Sequence, residues 1–367
     1  MGWTALFGRP AKRTTWRSGA AALAGLALFA VGACSSPSPS GGGGDEGQDT
    51  FTIGVSNGFV GSEWRTQMLD DVRTVFDTYK QQGVVDELVV ESADVDVNGQ
   101  IQQIRNLINT GVDAIIVNPN SPTALNAVFT EAKQKGILVV ATDQAVQSQD
   151  VTNVVIDQGE WARRSAEWLA EQLEAGDSVG VVNGVDGHPA NEARWAAARQ
   201  ALEDGQVKIE TVTNGDWDQA TGQQVTSNML ASHPDLDGIW TQDGMALGVF
   251  QAVKGAGKLD DLVLTGEARV GFMRQWADQR QQGDFETIGV VNPPGVAGSA
   301  LHIAVRMLQD KQLKSEVVSD GNTVYVPIPD VVTNENFDEL WAEVQDEPDA
   351  YALDGTISAR EADTYFR

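Results

Sequence analysis

The sequence contains very little cysteine and histidine. Among its 367 residues there are one cysteine, Cys34, and three histidines, His188, His233 and His302. A single cysteine excludes a disulfide bond within the chain and a metal site built from several cysteines. The histidines are too scattered to have the spacing of metal ligands, so each is expected to cap a helix or line a surface. No metal site and no cofactor are predicted.

Positive charge is also scarce. The chain has 25 lysines and arginines against 52 aspartates and glutamates, which gives a formal net charge of −27. A surface with this charge repels phosphate backbones, which argues against a nucleic acid partner. The hydrophobic content of 41% is ordinary for a globular protein, and the length predicts two domains.

The amino-terminal apolar stretch is too short to cross a membrane. It covers residues 20–33 and follows a basic region that ends at Arg17, whereas a bilayer core of about 30 Å needs roughly 20 apolar residues in a helix. This pattern is typical of an export signal, which we predict over residues 1–33. Residues 34–49 are rich in serine, proline and glycine, and this composition predicts a disordered tether.

Short apolar runs alternate with amphipathic stretches along the remainder of the chain. Strands are predicted at 52–56, 88–91, 114–117, 137–142, 154–157, 179–183, 209–213, 238–240, 262–266 and 287–291. Helices are predicted at 63–81, 99–110, 123–135, 158–174, 190–203, 219–231, 244–255 and 272–280. Repeated strand–helix units indicate parallel sheets covered by helices. The predicted fold class is therefore α/β with two similar lobes, each a parallel sheet flanked by helices.

Two local motifs are incomplete. Residues 94–99 match the first half of a calcium-binding loop, but Arg105 stands at the twelfth position, where that loop needs an acid. We therefore predict a polar loop in which Asn98 caps a helix that begins at Gly99. Dinucleotide binding loses its main support, because no Gly-x-Gly-x-x-Gly follows the first strand.

Polar residues follow most of the predicted strands. In open α/β sheets ligands bind outside the carboxyl ends of the strands, so these residues are expected to line one cleft between the lobes. The predicted ligand-binding residues are Ser56, Asn57, Trp64, Arg65, Asn118, Asp143, Gln144, Arg194, Trp217, Gln242, Asp243, Glu267 and Asn292. Any one of them could serve only as a turn or capping residue. Together they offer polar groups for hydroxyls and two tryptophan faces for a sugar ring, which predicts a neutral sugar or polyol as the ligand.

Several spaced motifs resemble the ribose/galactose type of periplasmic solute-binding protein over about residues 50 to 330. They are Val117-Asn-Pro119, Thr142-Asp143, Gly184 to Arg194, Gly215-Asp-Trp-Asp218, His233-Pro-Asp-Leu-Asp-Gly238 and Gln242-Asp-Gly-Met-Ala-Leu-Gly248. The resemblance implies a type 1 periplasmic binding protein fold that holds a sugar between two lobes. Gln144, Gln242 and Glu267 depart from the ribose-binding pattern, and Ser62-Glu-Trp-Arg65 is closer to the branch for furanose sugars and polyols. The individual sugar therefore stays open.

The same resemblance implies how the chain divides into domains. The family's chain crosses between its lobes three times, and the matching positions here are about 156–157, 291–292 and 326–329. The expected N-terminal lobe comprises residues 50–156 and 292–327. The expected C-terminal lobe comprises residues 157–291 and 328–367, with residues 336–367 as an acidic segment packed on it.

The amino terminus also resembles a known pattern. Val31-Gly-Ala-Cys34 is similar to a bacterial lipobox, whose cysteine is diacylated and becomes the first residue of the mature protein. The predicted protein is a monomeric extracytoplasmic lipoprotein, anchored to the cell membrane through Cys34. It binds a monosaccharide (pentose, hexose or furanose) or a small polyol and delivers it to the permease subunits of an ABC transporter. The alternative is a ligand-presenting subunit of a membrane sensor or chemoreceptor.

An enzyme or a DNA-binding regulator has less support. An enzyme would need a nucleophile–base pair or a metal, and only Asp143 and Glu267 could be forced into the acid pair of a glycosidase. A repressor would need a basic helix-turn-helix where this chain has its predicted export signal. No catalysis is predicted.

Overall fold

The computed structural model describes residues 50–329 and 331–367 of the chain. The predicted export signal, Cys34 and the predicted tether lie outside these residues. Within the described part of the chain, no helix combines the length and the apolar character that a membrane crossing requires.

Strands and helices alternate along the described chain. The strands are β1 (Phe51–Asn57), β2 (Val85–Ser92), β3 (Ala114–Asn118), β4 (Leu138–Thr142), β5 (Thr152–Val155), β6 (Ser178–Asn183), β7 (Lys208–Asn214), β8 (Gly238–Thr241), β9 (Val263–Glu267), β10 (Thr287–Val290), β11 (Val318–Ser319) and β12 (Thr323–Tyr325). The helices are α1 (Glu63–Gln81), α2 (Val97–Thr110), α3 (Asn126–Gln134), α4 (Gln158–Glu171), α5 (Pro189–Asp204), α6 (Gln219–Ser232), α7 (Ala246–Gly255), α8 (Val270–Arg280), α9 (Val296–Leu308), α10 (Phe337–Val344) and α11 (Ala359–Thr364). Every predicted strand and helix is present, with ends shifted by three residues or fewer.

The strands form two sheets with a common core order. The first sheet has the order β11-β12-β5-β4-β3-β1-β2, and the second has the order β10-β9-β8-β6-β7. All neighbouring strands are parallel except β11 and β12. We call the first sheet with α1, α2, α3 and α9 the first lobe, and the second sheet with α4 to α8 the second lobe. The predicted α/β class with two parallel-sheet lobes is confirmed.

The order of the strands decides where a ligand can bind. In each lobe the first strand lies between the second and the third, as in β2-β1-β3 and β7-β6-β8. The connections leave in opposite directions on the two sides of β1 and of β6, and this opens a crevice at their carboxyl ends. The residues of β3 and β8 are buried throughout, as expected for central strands that helices cover on both faces.

The chain passes between the lobes after β5, after β10 and after β12. α9 follows β10 in sequence but packs against β4 and β5 of the first lobe. After β12, Val332 forms an isolated bridge with Gly289 of the second sheet. Hinge motion at these crossings stays a prediction.

The carboxyl-terminal segment does not remain on the second lobe. α10 buries Phe337 and Val344 in the core of the second lobe. α11 instead packs on α9, where Arg306 Nε lies 2.8 Å from Asp363 Oδ1. The prediction that residues 336–367 pack on the second lobe is therefore wrong for residues 357–367. Ser358 begins a new helix through a capping box, and the apolar side of that helix, with Ala362, is buried against the first lobe.

Two helices also differ from their predictions. α2 begins at Val97, because Asp96 and not Asn98 is its N-cap and accepts from Gly99 N at 2.8 Å. α9 was not predicted at all. Its residues from Val296 to Arg306 are all buried, and its polar side is limited to Ser299, His302 and Arg306, so the sequence lacks the broad charged face of an exposed helix.

Candidate functional site

The predicted site residues lie at the carboxyl ends of the parallel strands in both lobes. Ser56 and Asn57 end β1, Asn118 ends β3, and Asp143 follows β4. Gln242 follows β8 and Glu267 ends β9 in the second lobe. Asn292 lies in the crossing after β10. Two walls thus face each other across the crevice that the strand order creates.

On the wall of the first lobe, Arg65 and Asp143 are the charged groups. Arg65 stands in the first turn of α1, where Ser62 Oγ caps the helix by accepting from Arg65 N at 3.3 Å. Its Nη1 donates to Asn57 Oδ1 at 3.0 Å. Burial lowers the pKa of Arg65, and the charge of Asp143 opposes that shift. The bond to Asn57 orients the Arg65 guanidinium at the edge of the cleft.

Asp143 accepts hydrogen bonds from three side-chain amides. It accepts at Oδ2 from Asn118 Nδ2 at 3.3 Å and from Gln144 Nε2 at 3.1 Å, and at Oδ1 from Asn292 Nδ2 at 3.0 Å. Its φ of 65° lies in the left-handed region that non-glycine residues rarely adopt. Strain of this kind is kept where the surroundings fix the side chain, and here it directs the carboxylate toward the three amides.

Ser56 and Asn57 face the protein interior. Ser56 Oγ donates to Gln103 Oε1 at 2.9 Å, and both residues are buried. Asn57 Nδ2 donates to Phe59 O at 2.8 Å and to Ser92 Oγ at 3.0 Å, while its Oδ1 accepts from Arg65. These two residues position the wall behind the cleft.

On the wall of the second lobe, Arg194 is held from three directions. Its Nη1 donates to Asp243 Oδ1 at 2.7 Å, and its Nε donates to Gln158 Oε1 at 2.7 Å. The guanidinium carbon lies 4.2 Å from the centre of the Trp161 ring, within cation–π range. Only 3% of the Arg194 side chain and 9% of the Asp243 side chain are exposed, so this is a desolvated ion pair.

Trp217 lies beside this ion pair and is also fixed in place. Its Nε1 donates to Gln242 Oε1 at 2.8 Å, and Gln242 Nε2 donates to Asn191 Oδ1 at 2.8 Å. The indole lies directly over Gly184, where a Cβ would come within 2.1 Å of the ring. Trp217 has a φ of 54°, again in the left-handed region.

His188 packs edge-on against Trp217, with ring centres 4.8 Å apart. Burial lowers its pKa, Asp143 opposes the shift, and the positive charges of Arg65 and Arg194 add to it. The lowered pKa favours the neutral form of the ring.

Glu267 supports the second wall from behind. It accepts from Gly244 N, and its Oε1 lies 3.5 Å from Arg269 Nε. Burial raises the pKa of Glu267, and Arg269 opposes this shift. The bond from Gly244 N connects Glu267 to the loop after β8, which carries Gln242 and Asp243.

Asn292 joins the two walls. Its Nδ2 donates to Asp143, its backbone N–H donates to Asp243 Oδ2 at 3.0 Å, and its carbonyl oxygen accepts from Trp64 Nε1 at 2.8 Å. One residue of a crossing segment thus contacts a carboxylate of each lobe. The ring of Trp64 lies 5.5 Å from the Arg65 guanidinium carbon, so the two side chains share one rim of the cleft.

Two of the buried amide oxygens that lack a donor belong to the candidate site. Asn118 Oδ1 and Asn292 Oδ1 lack a hydrogen-bond partner among the described residues. Both amides use their nitrogen on the same carboxylate, Asp143, so both oxygens belong to one part of the cleft. A buried acceptor without a donor is costly, and a bound hydroxyl would satisfy it.

Several site residues were absent from the sequence-based prediction. They are Gln100, Gln103, Gln158, Trp161, Asn183, His188 and Asn191. Asn183 had a usable signal, because it ends β6 at the place where Asn57 ends β1. Gln100 and Gln103 are amides on the buried face of α2, a polar exception on an otherwise apolar face. In the described part of the chain no three His, Cys, Asp or Glu side chains gather as a metal ion would require.

Comparison with known families and structures agrees with this architecture. Residues 53–312 match the periplasmic binding protein domain. The chain belongs to the periplasmic binding protein family. The family match ends before α10 and α11, so the last part of this periplasmic binding protein lies outside it.

Individual relatives cover different parts of this periplasmic binding protein. The D-ribose/D-allose-binding protein of Pseudomonas aeruginosa is 33% identical over 181 residues, which are 47% of this chain and 57% of that protein. The xylitol-binding protein of Mycolicibacterium smegmatis is 28% identical over 92% of this chain and 90% of its own length. The crystal structure of an ABC transporter solute-binding protein from Thermobispora bispora aligns with a TM-score of 0.74 at 26% identity and covers 86% of this chain and 94% of that chain.

Proposed function

We propose that this protein is the solute-binding component of an ABC importer and that it captures one neutral monosaccharide or small polyol between its lobes. The observation that carries this proposal is the pair of buried amide oxygens on Asn118 and Asn292. They are acceptors, so the ligand must bring donors. Ligand hydroxyls are the donors that suit an amide oxygen without adding charge.

The charge balance of the cleft supports a neutral ligand. Arg194 is paired with Asp243, Glu267 lies beside Arg269, and Arg65 lies in the field of Asp143. A phosphate or ammonium group in the same space would lack a compensating charge, and its burial would be costly. Trp64 and Trp217 provide aromatic surface for the C–H face of a sugar.

The relatives support the same ligand class. The Pseudomonas protein is named for D-ribose and D-allose, and the Mycolicibacterium protein for xylitol. All three are neutral compounds with hydroxyls on adjacent carbons. We infer the ligand class from this agreement and leave the individual sugar to the experiment.

A ligand screen tests the proposal directly. Thermal unfolding of the full chain is measured with pentoses, hexoses, furanose-forming sugars and pentitols, and with sugar phosphates and amino acids as controls. A ligand at a hundred times its Kd stabilises the native state by about 2.7 kcal/mol. We expect stabilisation by at least one neutral compound. Stabilisation by charged compounds alone would contradict the proposal.

Delivery to a permease has its own test. Cells that lack the protein should lose uptake of the stabilising sugar, and the gene should restore it. Normal uptake without the protein, combined with tight binding in vitro, would favour a sensory role.

We also propose that Cys34 carries a lipid anchor, on the basis of the lipobox-like sequence around it. Cys34→Ala should release the protein from the membrane fraction or leave an unprocessed precursor. A correctly cleaved Cys34→Ala protein that stays in the membrane fraction would contradict the anchor.

A further inference from the structure

Residues 349–357 form a segment that we call the C-terminal strap, and it lies beyond the family match. Its first part is bound to the second lobe. Val270 N donates to Tyr351 O at 2.9 Å, and Leu353 N donates to Ala268 O at 3.1 Å. These bonds attach the strap to the start of α8, directly after Glu267. The preceding α10 is buried in the core of the same lobe.

The second part of the strap is bound to the first lobe. Gly295 N, just before α9, donates to Asp354 O at 2.8 Å, and Ile357 N donates to Ser299 Oγ of α9 at 3.0 Å. Three residues separate Leu353 from Ile357, and a fully extended chain gains only about 3.5 Å per residue. The strap therefore has little slack between its attachments to the two lobes.

Gly355 further restricts the movement of the strap. It lies between two crossing segments, and a Cβ at this position would come within 2.6 Å of Pro293 Cβ and 2.5 Å of Pro329 Cγ. Its φ of 67° also favours glycine. The strap thus passes in close contact with the crossing after β10 and the crossing after β12.

One side chain of the first lobe also binds the first part of the strap. Gln67, three residues after Trp64 in α1, donates from Nε2 to Ala352 O at 2.7 Å and accepts at Oε1 from Ala352 N at 3.0 Å. Both backbone groups of Ala352 are therefore bound to the first lobe. Its neighbours Tyr351 and Leu353 are bound to the second lobe.

We propose that Gln67 and the C-terminal strap form a latch that holds the lobes in their closed arrangement, so that Gln67 sets ligand affinity without touching the ligand. This inference rests on the proposed function, because affinity depends on lobe closure around a sugar. A contact made only in the closed arrangement adds its free energy to closing, and the apparent Kd falls accordingly. Gln67 is thus a positioning residue.

The first test is calorimetric titration of the full chain in detergent with the sugar found by the screen. Gln67→Ala keeps a good helix former and removes both bonds to Ala352. Two lost hydrogen bonds should weaken binding by about five- to fiftyfold, mainly through faster dissociation. Gln81→Ala, at an exposed glutamine of the same helix, is the matched control and should bind like the parent. Equal affinity of Gln67→Ala and the parent would overturn the latch.

Hydrogen exchange provides a second readout that needs no ligand. The amides of Gly271 and Gly295 donate to the strap at Asp349 O and Asp354 O and make no contact with Gln67 through these bonds. In the ligand-free protein, Gln67→Ala should speed exchange at both amides severalfold, whereas Gln81→Ala should not. Unchanged exchange at both would overturn the latch even if no sugar bound the parent. Absence of sugar binding by the parent would instead count against the proposed function.

Discussion

The two walls of the cleft have the same strand order but are stabilised differently. In the second lobe the predicted ligand-binding residues bind each other and their neighbours: Arg194 binds Asp243 and Gln158, and Trp217 binds Gln242. In the first lobe and the adjoining crossing, the amides of Asn118 and Asn292 each leave an oxygen without a donor. Among the described residues of the second wall the unpaired buried atoms are donors instead, Gln158 Nε2 and Trp161 Nε1, so the first wall offers acceptors to a ligand and the second offers donors. Because Arg194 and Asp243 form a desolvated ion pair, substitutions in the second wall should affect folding as well as binding.

The largest expected effect is a difference in stability between alanine substitutions of the two cleft arginines. Arg194→Ala leaves Asp243 buried without its partner, so the free energy of unfolding should fall by about 3 to 5 kcal/mol, and ligand binding should weaken as well. Arg65→Ala should weaken binding with a smaller loss of stability, since its hydrogen-bond partner is the neutral Asn57. Urea unfolding and calorimetric titration of both variants measure this. Equal loss of stability in the two variants would refute the contrast.

Alanine substitutions at two glycines test whether the position of the Trp217 ring affects ligand binding. Gly184→Ala would place a Cβ 2.1 Å from the Trp217 ring, and the indole is also held by His188 and Gln242. The ring must move, and we expect affinity to fall by about tenfold.

Gly61→Ala in the first lobe is the control for this prediction. Its Cβ would meet the Phe59 ring at 2.9 Å, but Phe59 is 42% exposed and can turn toward solvent. Titrations should give a change of less than about twofold. A loss as large as that of Gly184→Ala would remove the distinction between the walls.

The smallest expected effect concerns two buried acids with different surroundings. Burial raises the pKa of both acids: Asp354 and Asp70 add to the shift of Asp71, whose pKa reaches about 7, whereas Arg269 opposes the shift of Glu267. Because the native state holds a proton on Asp71 that the unfolded chain has released, native stability should fall as pH rises from about 4 to 7.

Asp71→Asn removes this pH dependence. The variant should melt about 2 °C above the parent at pH 8, and the difference should shrink at pH 5. The difference between Glu267→Gln and the parent should change less between pH 5 and pH 8, because Arg269 opposes the rise in the pKa of Glu267. Calorimetric scans at both pH values measure this. A constant difference between Asp71→Asn and the parent across the range would contradict the assignment to Asp71.

Much of the fold could be predicted because the relevant signals are local. α1 was predicted with its observed ends, Glu63 to Gln81, since Ser62 caps its start and its apolar residues recur at helical spacing. Polar residues at strand ends could be collected into one cleft because parallel strands end at one edge. The roles of those residues could not be predicted, since Ser56 facing Gln103 and Glu267 facing Gly244 depend on distant elements.

The sequence by itself determined the two-lobed α/β architecture and the polar content of the cleft. Both depend on local features: the spacing of apolar residues and the residue types at the ends of the strands. Tertiary structure alone decided the course of the carboxyl-terminal segment, the existence of α9 and the bond between Gln67 and Ala352. α9 is helical although its residues from Val296 to Arg306 have no solvent-exposed face, because the protein covers it on both sides. Gln67 is one glutamine among many until α1 and the C-terminal strap are brought together, 285 residues apart in sequence.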